Sequence, residues 1–135
     1  MALSDRHEDQ MVGHLLGDLE APIMRLMWQH PTATVREILA ALDAGGRPLA
    51  YTTVMTVMSR LSEKGLLSRE KLGKSHRYRA TMSREAFLQH AAAQRVQNVI
   101  AEFGDFAIAQ FLNEVSALPP SRRRQLERLV AEGAH

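Results

Sequence analysis

Gly65 divides residues 50–80 into two segments whose side-chain periods belong to different kinds of structure. Before it, Val54, Val57, Met58 and Leu61 fall at i, i+3, i+4 and i+7, one apolar face of a helix beginning near Ala50 or Tyr51. After it, Leu66–Lys71 and Ser75–Ala80 read as two short strands joined through Leu72-Gly73-Lys74. A glycine at the junction is a good helix terminator, so the helix must give way directly to a hairpin.

The other face of that helix carries Thr52, Met55, Thr56, Ser59 and Glu63, which point away from the core at 100° per residue. Short hydroxyl side chains donate and accept hydrogen bonds, and Met55 and the threonine methyls suit contact with a thymine methyl. In the second strand His76, Tyr78 and Ala80 share one face while Arg77 and Arg79 share the other. One face is expected to pack on the helices and the other to meet phosphate. From Arg47 to Arg79 there are eight basic residues against Glu63 and Glu70, a local charge of +6. The whole chain carries only +2, so the remainder is acidic at −4. A basic block on an otherwise acidic chain is the footprint of a polyanion-binding surface.

Two shorter helices precede this unit. Asp18 is a plausible N-cap for a helix with Pro22 in its first turn and Leu19, Ile23, Leu26 and Met27 at helical spacing. It should end near Gln29, because Pro31 disfavours helical geometry at His30. Thr34 and Glu37 then form an S/T-x-x-E capping box before Val35, Ile38, Leu39 and Leu42, with Gly45-Gly46 as the stop. Three helices followed by a basic hairpin predict a winged helix-turn-helix domain over residues 17–82. Residues 1–16 are mostly polar and are expected to be a flexible extension.

The fold class expected for the whole is mainly α with a small β-hairpin, the winged domain being followed by a helical dimerisation domain over residues 83–135. Ser83 can cap a long helix containing Phe87, Ala91, Val99 and Ile100, which Gly104-Asp105 interrupts. A dense apolar segment follows, and Pro119-Pro120-Ser121 restarts a last helix. Three of the four Phe residues lie between positions 103 and 111, more apolar surface than a short helix can bury on itself. A homodimer core built from Phe103, Phe106, Phe111, Leu112, Leu126 and Leu129 is the expected outlet.

Several function classes drop out. With no Cys there are no disulfides, thiolate nucleophiles or thiolate metal sites. No G-x-S-x-G, phosphate-cradling glycine loop or carboxylate and His pair at metal spacing points to an enzyme. The six His residues (His7, His14, His30, His76, His90 and His135) show no i, i+3 or i+4 spacing, and no metal or other cofactor is expected. No stretch approaches the ~20 apolar residues of a membrane span, and a cytoplasmic location without membrane partners is expected.

Taken together, Leu19-Glu20, Ile23-Met24, Met27-Trp28, Val35-Arg36-Glu37-Ile38, the run Tyr51-Thr52-Thr53-Val54-Met55-Thr56-Val57-Met58-Ser59-Arg60-Leu61 and Lys64-Gly65-Leu66 resemble the penicillinase-repressor (BlaI/MecI/CopY) family. The resemblance extends less specifically through the C-terminal helices. It implies a homodimeric repressor that binds double-stranded DNA at inverted-repeat operators with TACA/TGTA-like half-sites. Phosphate contacts would come from Arg60, Lys74, Arg77 and Tyr51, and base contacts from Thr52, Thr53, Met55 and Thr56. Family members commonly carry Lys or Arg where Thr52 and Met55 stand here, so the preferred sequence is expected to differ. Members that answer to β-lactams are cut by a sensor metalloprotease at an Asn-Phe bond, which corresponds to Gln110-Phe111 in this chain. The copper-responsive branch uses C-terminal Cys pairs, which this chain lacks. Release by a sensor protease or by a small effector stays open, as does a PadR- or MarR-like ligand-responsive regulator. A winged helix can also serve as a protein-interaction module, but a wing charged almost wholly with one sign favours DNA.

Overall fold

The computed structural model describes residues 5–133, which form two compact units, one over Asp5–Gln89 and one from His90 onward. In the first, helices α1 (Asp5–Leu15), α2 (Glu20–Gln29), α3 (Val35–Ala44) and α4 (Tyr51–Glu63) are joined by strands β1 (Ala33–Thr34), β2 (Leu67–Leu72) and β3 (Ser75–Ala80). The long helix α5 (Arg84–Phe103) runs from the first unit into the second, which also holds α6 (Asp105–Ser116) and α7 (Pro120–Gly133).

The N-terminal segment differs from the flexible extension expected over residues 1–16. Residues 1–4 lie outside the described part, but Asp5–Leu15 is helical and its Val12 is fully buried, with Leu16 close behind. Val12, Leu15 and Leu16 make a narrow stripe at i, i+3 and i+4, which a polar average over the segment conceals. The polar residues are also partnered. Arg25 pairs with Asp9 and donates to its carbonyl at 3.1 Å, and Arg84 reaches Asp5 at 3.0 Å and Glu8 at 3.3 Å. Such partly exposed pairs contribute at most about 1 kcal/mol each, so the burial of Val12 and Leu16 is the stronger tether.

Helix α2 begins one residue later than an Asp18 cap would place it. Leu19 holds the N-cap position without a side-chain bond, and the Glu20 carboxylate instead accepts from the Gly17 N–H at 3.3 Å and from Lys64 at 2.6 Å. Its end at Gln29 and the capping box of α3 match the sequence reading. The Thr34 N–H donates to Glu37 Oε1 at 2.8 Å while the Glu37 N–H donates to Thr34 Oγ1 at 3.2 Å. Gly65 adopts φ +83°, the left-handed conformation that lets α4 turn at once into β2.

The sheet is antiparallel with strand order β1-β3-β2. Its two-residue edge β1 escapes sequence reading because it is shorter than any alternation can reveal. It pairs Ala33 with Tyr78 and Thr34 with Arg77, which fastens the middle of β3 to the start of α3. The core beneath is built from Ile23 and Met27 of α2, Ile38 of α3, and Val54, Met58 and Leu61 of α4, each almost wholly buried. It continues past residue 82, where the sequence reading ended the winged domain. Phe87, in the first turn of α5, lies with its ring 5.6 Å from that of Trp28.

Beyond residue 90, Gly104 at φ +62° separates α5 from α6. Ser83 Oγ accepts from the Ala86 N–H at 3.0 Å and so caps α5. Among the described residues no helix is long and apolar enough to cross a membrane.

Candidate nucleic-acid interface

Because Val54, Val57, Met58 and Leu61 are drawn into the core, the opposite side of α4 is left facing out. Tyr51, Thr52, Met55 and Thr56 are exposed and Thr53 is half-buried at the edge. Alternation along the hairpin then decides what stands opposite. In the register of β2 and β3, Arg69 pairs with Tyr78 and Lys71 with His76, so these four share one face. Tyr78 packs inward at the root of that face, and Arg69 and Lys74 extend beyond it.

Between α4 and the hairpin lies a groove of about 750 Å³, closed at one side by Thr34, Val35 and Arg36 from the start of α3. Helix α4 contributes Tyr51, Met55, Thr56, Ser59, Arg60 and Glu63, and the hairpin contributes Arg69, Lys74, Ser75, His76 and Tyr78. Four permanent cations thus line the groove against a single carboxylate, Glu63. Arg69, Lys71 and Lys74 form no ion pair among the described residues, so the positive charge of these three is not neutralised by the fold.

Of the sequence-derived contact residues, Tyr51, Met55, Thr56, Arg60 and Lys74 come together in this groove. Thr52 and Thr53 lie on α4 outside its lining. Arg77 is placed elsewhere: it sits on the opposite face of β3, donating to Thr32 Oγ1 at 3.1 Å and lying 3.4 Å from Glu37 Oε1. The expected exposed, phosphate-meeting face of β3 is therefore partly occupied by contacts to the segment around β1. Arg79 on the same face donates to Ser68 Oγ at 3.3 Å.

Two of the groove's cations escaped sequence reading as contacts. Arg69 belongs to the basic block, but only the strand register shows that it faces α4. Arg36 lies in a helix with an ordinary amphipathic pattern, and its guanidinium carbon stands 5.0 Å from the centre of the Tyr51 ring.

Electrostatics of the supporting residues follow from their partners. The Thr34 backbone N–H, then its side chain, hold the Glu37 carboxyl below the usual range, with the charge of Arg77 adding to the effect. Partial burial alone would raise the Glu20 carboxyl, but the bonds from Lys64 and Gly17 outweigh it and lower its pKa. Of the histidines, His30 Nδ1 lies 2.9 Å from the Leu26 carbonyl, His76 lines the groove, and His135 lies outside the described residues.

The residues expected at a dimer interface are open in the single chain. Phe106 is 86% exposed, Leu112 62% and Phe103 56%, while Phe111 and Leu129 are also exposed and Leu126 is half-buried.

A transcriptional regulator BlaI of Mycobacterium tuberculosis, in strains CDC 1551 and H37Rv, is 44% identical over 71 residues, which is 52% of this chain and 51% of that protein. The chain thus spans about half the length of the curated relatives it matches. Among solved structures, the DNA binding domain of the repressor BlaI aligns with TM-score 0.46 at 25% identity, over 50% of this chain and 82% of that one. A CopR repressor structure aligns with TM-score 0.40 at 33% identity, over 50% of this chain and 97% of that one. The sequence profile of the family described as Penicillinase repressor matches residues 16–132, from the turn after α1 into α7. With so much of its length inside that profile, the chain belongs to the penicillinase repressor family.

Proposed function

We propose that the protein is a DNA-binding transcriptional repressor that acts in the cytoplasm as a homodimer on inverted-repeat operators. The groove between α4 and the hairpin carries this reading, because it sets Arg36, Arg60, Arg69 and Lys74 around an outward face of short hydroxyl and methyl groups. That combination suits α4 in a major groove, with Thr52, Thr53, Met55 and Thr56 at base edges and Arg60, Arg69 and Lys74 on the flanking phosphates. Arg77 is left to brace the hairpin.

A single such unit covers few base pairs, and two-fold pairing of two units gives inverted half-sites. The exposed Phe103, Phe106, Phe111, Leu112 and Leu129 supply an apolar surface for a second copy to cover, with Leu126 at its edge. Release from DNA would answer a signal acting on this helical part. Gln110-Phe111 lies inside α6, with the Gln110 amide bonded to Glu114 at 2.8 Å. A protease that takes an extended segment would have to unwind α6 first, which favours an effector or partner over direct cleavage there.

Selection of bound fragments from random and genomic DNA, followed by affinity at two salt concentrations, tests the reading. An inverted repeat bound by a dimer, losing about 10³-fold or more between roughly 50 and 200 mM salt, is the expected result. Weak binding without sequence preference or salt dependence would instead point to a protein partner for the hairpin.

A further inference from the structure

Arg36 is unexplained by the helix it stands on. It is the second residue of α3, where a cation opposes the helix dipole. It pairs with no carboxylate among the described residues, since its neighbour Glu37 is engaged by Thr34 and Arg77. Its guanidinium instead stands over the face of Tyr51, 5.0 Å away at the first turn of α4. A cation held over an aromatic ring is attracted by the ring's quadrupole, and this uses none of the five guanidinium N–H donors. The pair therefore fixes the charge in place while leaving its hydrogen bonds unspent. Both residues line the groove that also holds Arg60, Arg69 and Lys74. Cations from three separate elements, α3, α4 and the hairpin, thus border one channel.

We propose that Arg36, held by the Tyr51 ring, binds a backbone phosphate of the DNA strand seated in this groove, so that α3 contributes to the interface beside α4 and the hairpin. Tyr51 is then a positioning residue that acts through its ring, and its hydroxyl is dispensable. The proposal rests on the DNA-binding reading above and adds a contact that reading does not require.

The test uses the full chain and a labelled duplex of mixed sequence, so that no operator need be known, with affinity measured across a range of salt. Each phosphate contact contributes about 0.9 to the slope of log K against log salt. Arg36→Ala is expected to lower that slope by about one and to weaken binding several-fold at low salt. Arg36→Lys should keep the slope while binding more weakly, since it retains the charge and loses the planar fork. Tyr51→Phe should bind like the wild type and Tyr51→Ala more weakly, and the Arg36→Ala, Tyr51→Ala double variant should be no weaker than Arg36→Ala alone. Circular dichroism and thermal midpoints confirm that each exposed substitution leaves the fold intact, and Arg36→Gln replaces Arg36→Ala if it does not.

An unchanged slope in Arg36→Ala, alongside a lowered slope in Arg69→Ala, would overturn the proposal and leave DNA binding standing. A defect in Tyr51→Phe equal to that of Tyr51→Ala would overturn the positioning role. Absence of salt-dependent binding by the wild type would remove the DNA-binding reading itself.

Discussion

The indole N–H of Trp28 donates to the carbonyl of Met82 at 3.0 Å, joining α2 to the segment that leads from the hairpin into α5. With the Phe87 ring 5.6 Å away, the same side chain holds the segment after the sheet and seats the first turn of the long helix. Trp28→Phe keeps an aromatic ring but leaves the partly buried carbonyl without its donor. A loss of about 1 kcal/mol is expected in urea denaturation. By the same contacts, a chain ending at Gln89 should fold more stably than one ending at Met82, as their thermal midpoints would show.

Helix α1 lies before the family match begins at residue 16, yet Val12 is wholly buried. Val12→Ala should cost about 2 kcal/mol, from two lost methyl groups and the space they leave. A change near zero in the denaturation midpoint would mean that α1 does not hold its place in solution.

Arg69 and Arg77 stand on opposite faces of the hairpin and should respond differently to removal. Arg69→Ala is expected to weaken binding to all DNA sequences alike and to lower the salt slope by about one. Arg77→Ala should leave the slope nearly unchanged and reduce stability instead, because it frees Thr32 and Glu37. Fluorescence titrations against salt, paired with thermal melts, separate the two.

Glu20 and Glu37 both have carboxyls held below their ordinary value of 4.5. A carboxyl with a depressed folded-state pKa stabilises the fold fully above its unfolded value, and that stabilisation fades as pH falls through the lower folded value. The thermal midpoint should thus be insensitive to these groups above about pH 4.5 and decline below it. Glu37→Gln should flatten part of the decline, since the amide retains a cap acceptor but does not titrate.

Phe106 is the most exposed large apolar residue among those described, at 86%. If a second copy covers it, Phe106→Asp should dissociate the dimer in sedimentation velocity while leaving the helical content intact. Operator affinity should fall with it, because two half-sites would no longer be bound by one particle.

The sequence carried the elements whose signals are local. The capping box at Thr34 and Glu37, the glycine after α4 and the i, i+3, i+4 stripe from Val54 each depend on neighbours a few residues away, and each appears where those neighbours require. What it concealed depends on pairing across the chain. Arg77 and Arg69 look alike in a basic block, and only the register, Arg69 beside Tyr78 and Arg77 beside Thr34, sends them to opposite faces. The docking of α1 was hidden because its acids find arginines at positions 25 and 84, far from the segment they make look soluble. Arg36 was hidden for the same reason, since its partner lies fifteen residues on.

The two residues of β1 give the hairpin an unequal mechanical character. Ala33 and Thr34 grip Tyr78 and Arg77 near the middle of β3, and no third strand accompanies β2 and β3 toward Gly73. The hairpin is a cantilever, clamped part-way along β3 to the capping residue of α3 and unpaired by a third strand over its outer reach. Under the proposed DNA reading, Lys74 at the free end would follow a phosphate whose position varies from one DNA site to another, while Arg69 would move less, because its strand partner Tyr78 is itself paired with Ala33. Compliance at the tip and stiffness at the clamp would let one such protein accept operators of differing groove width without disturbing its core.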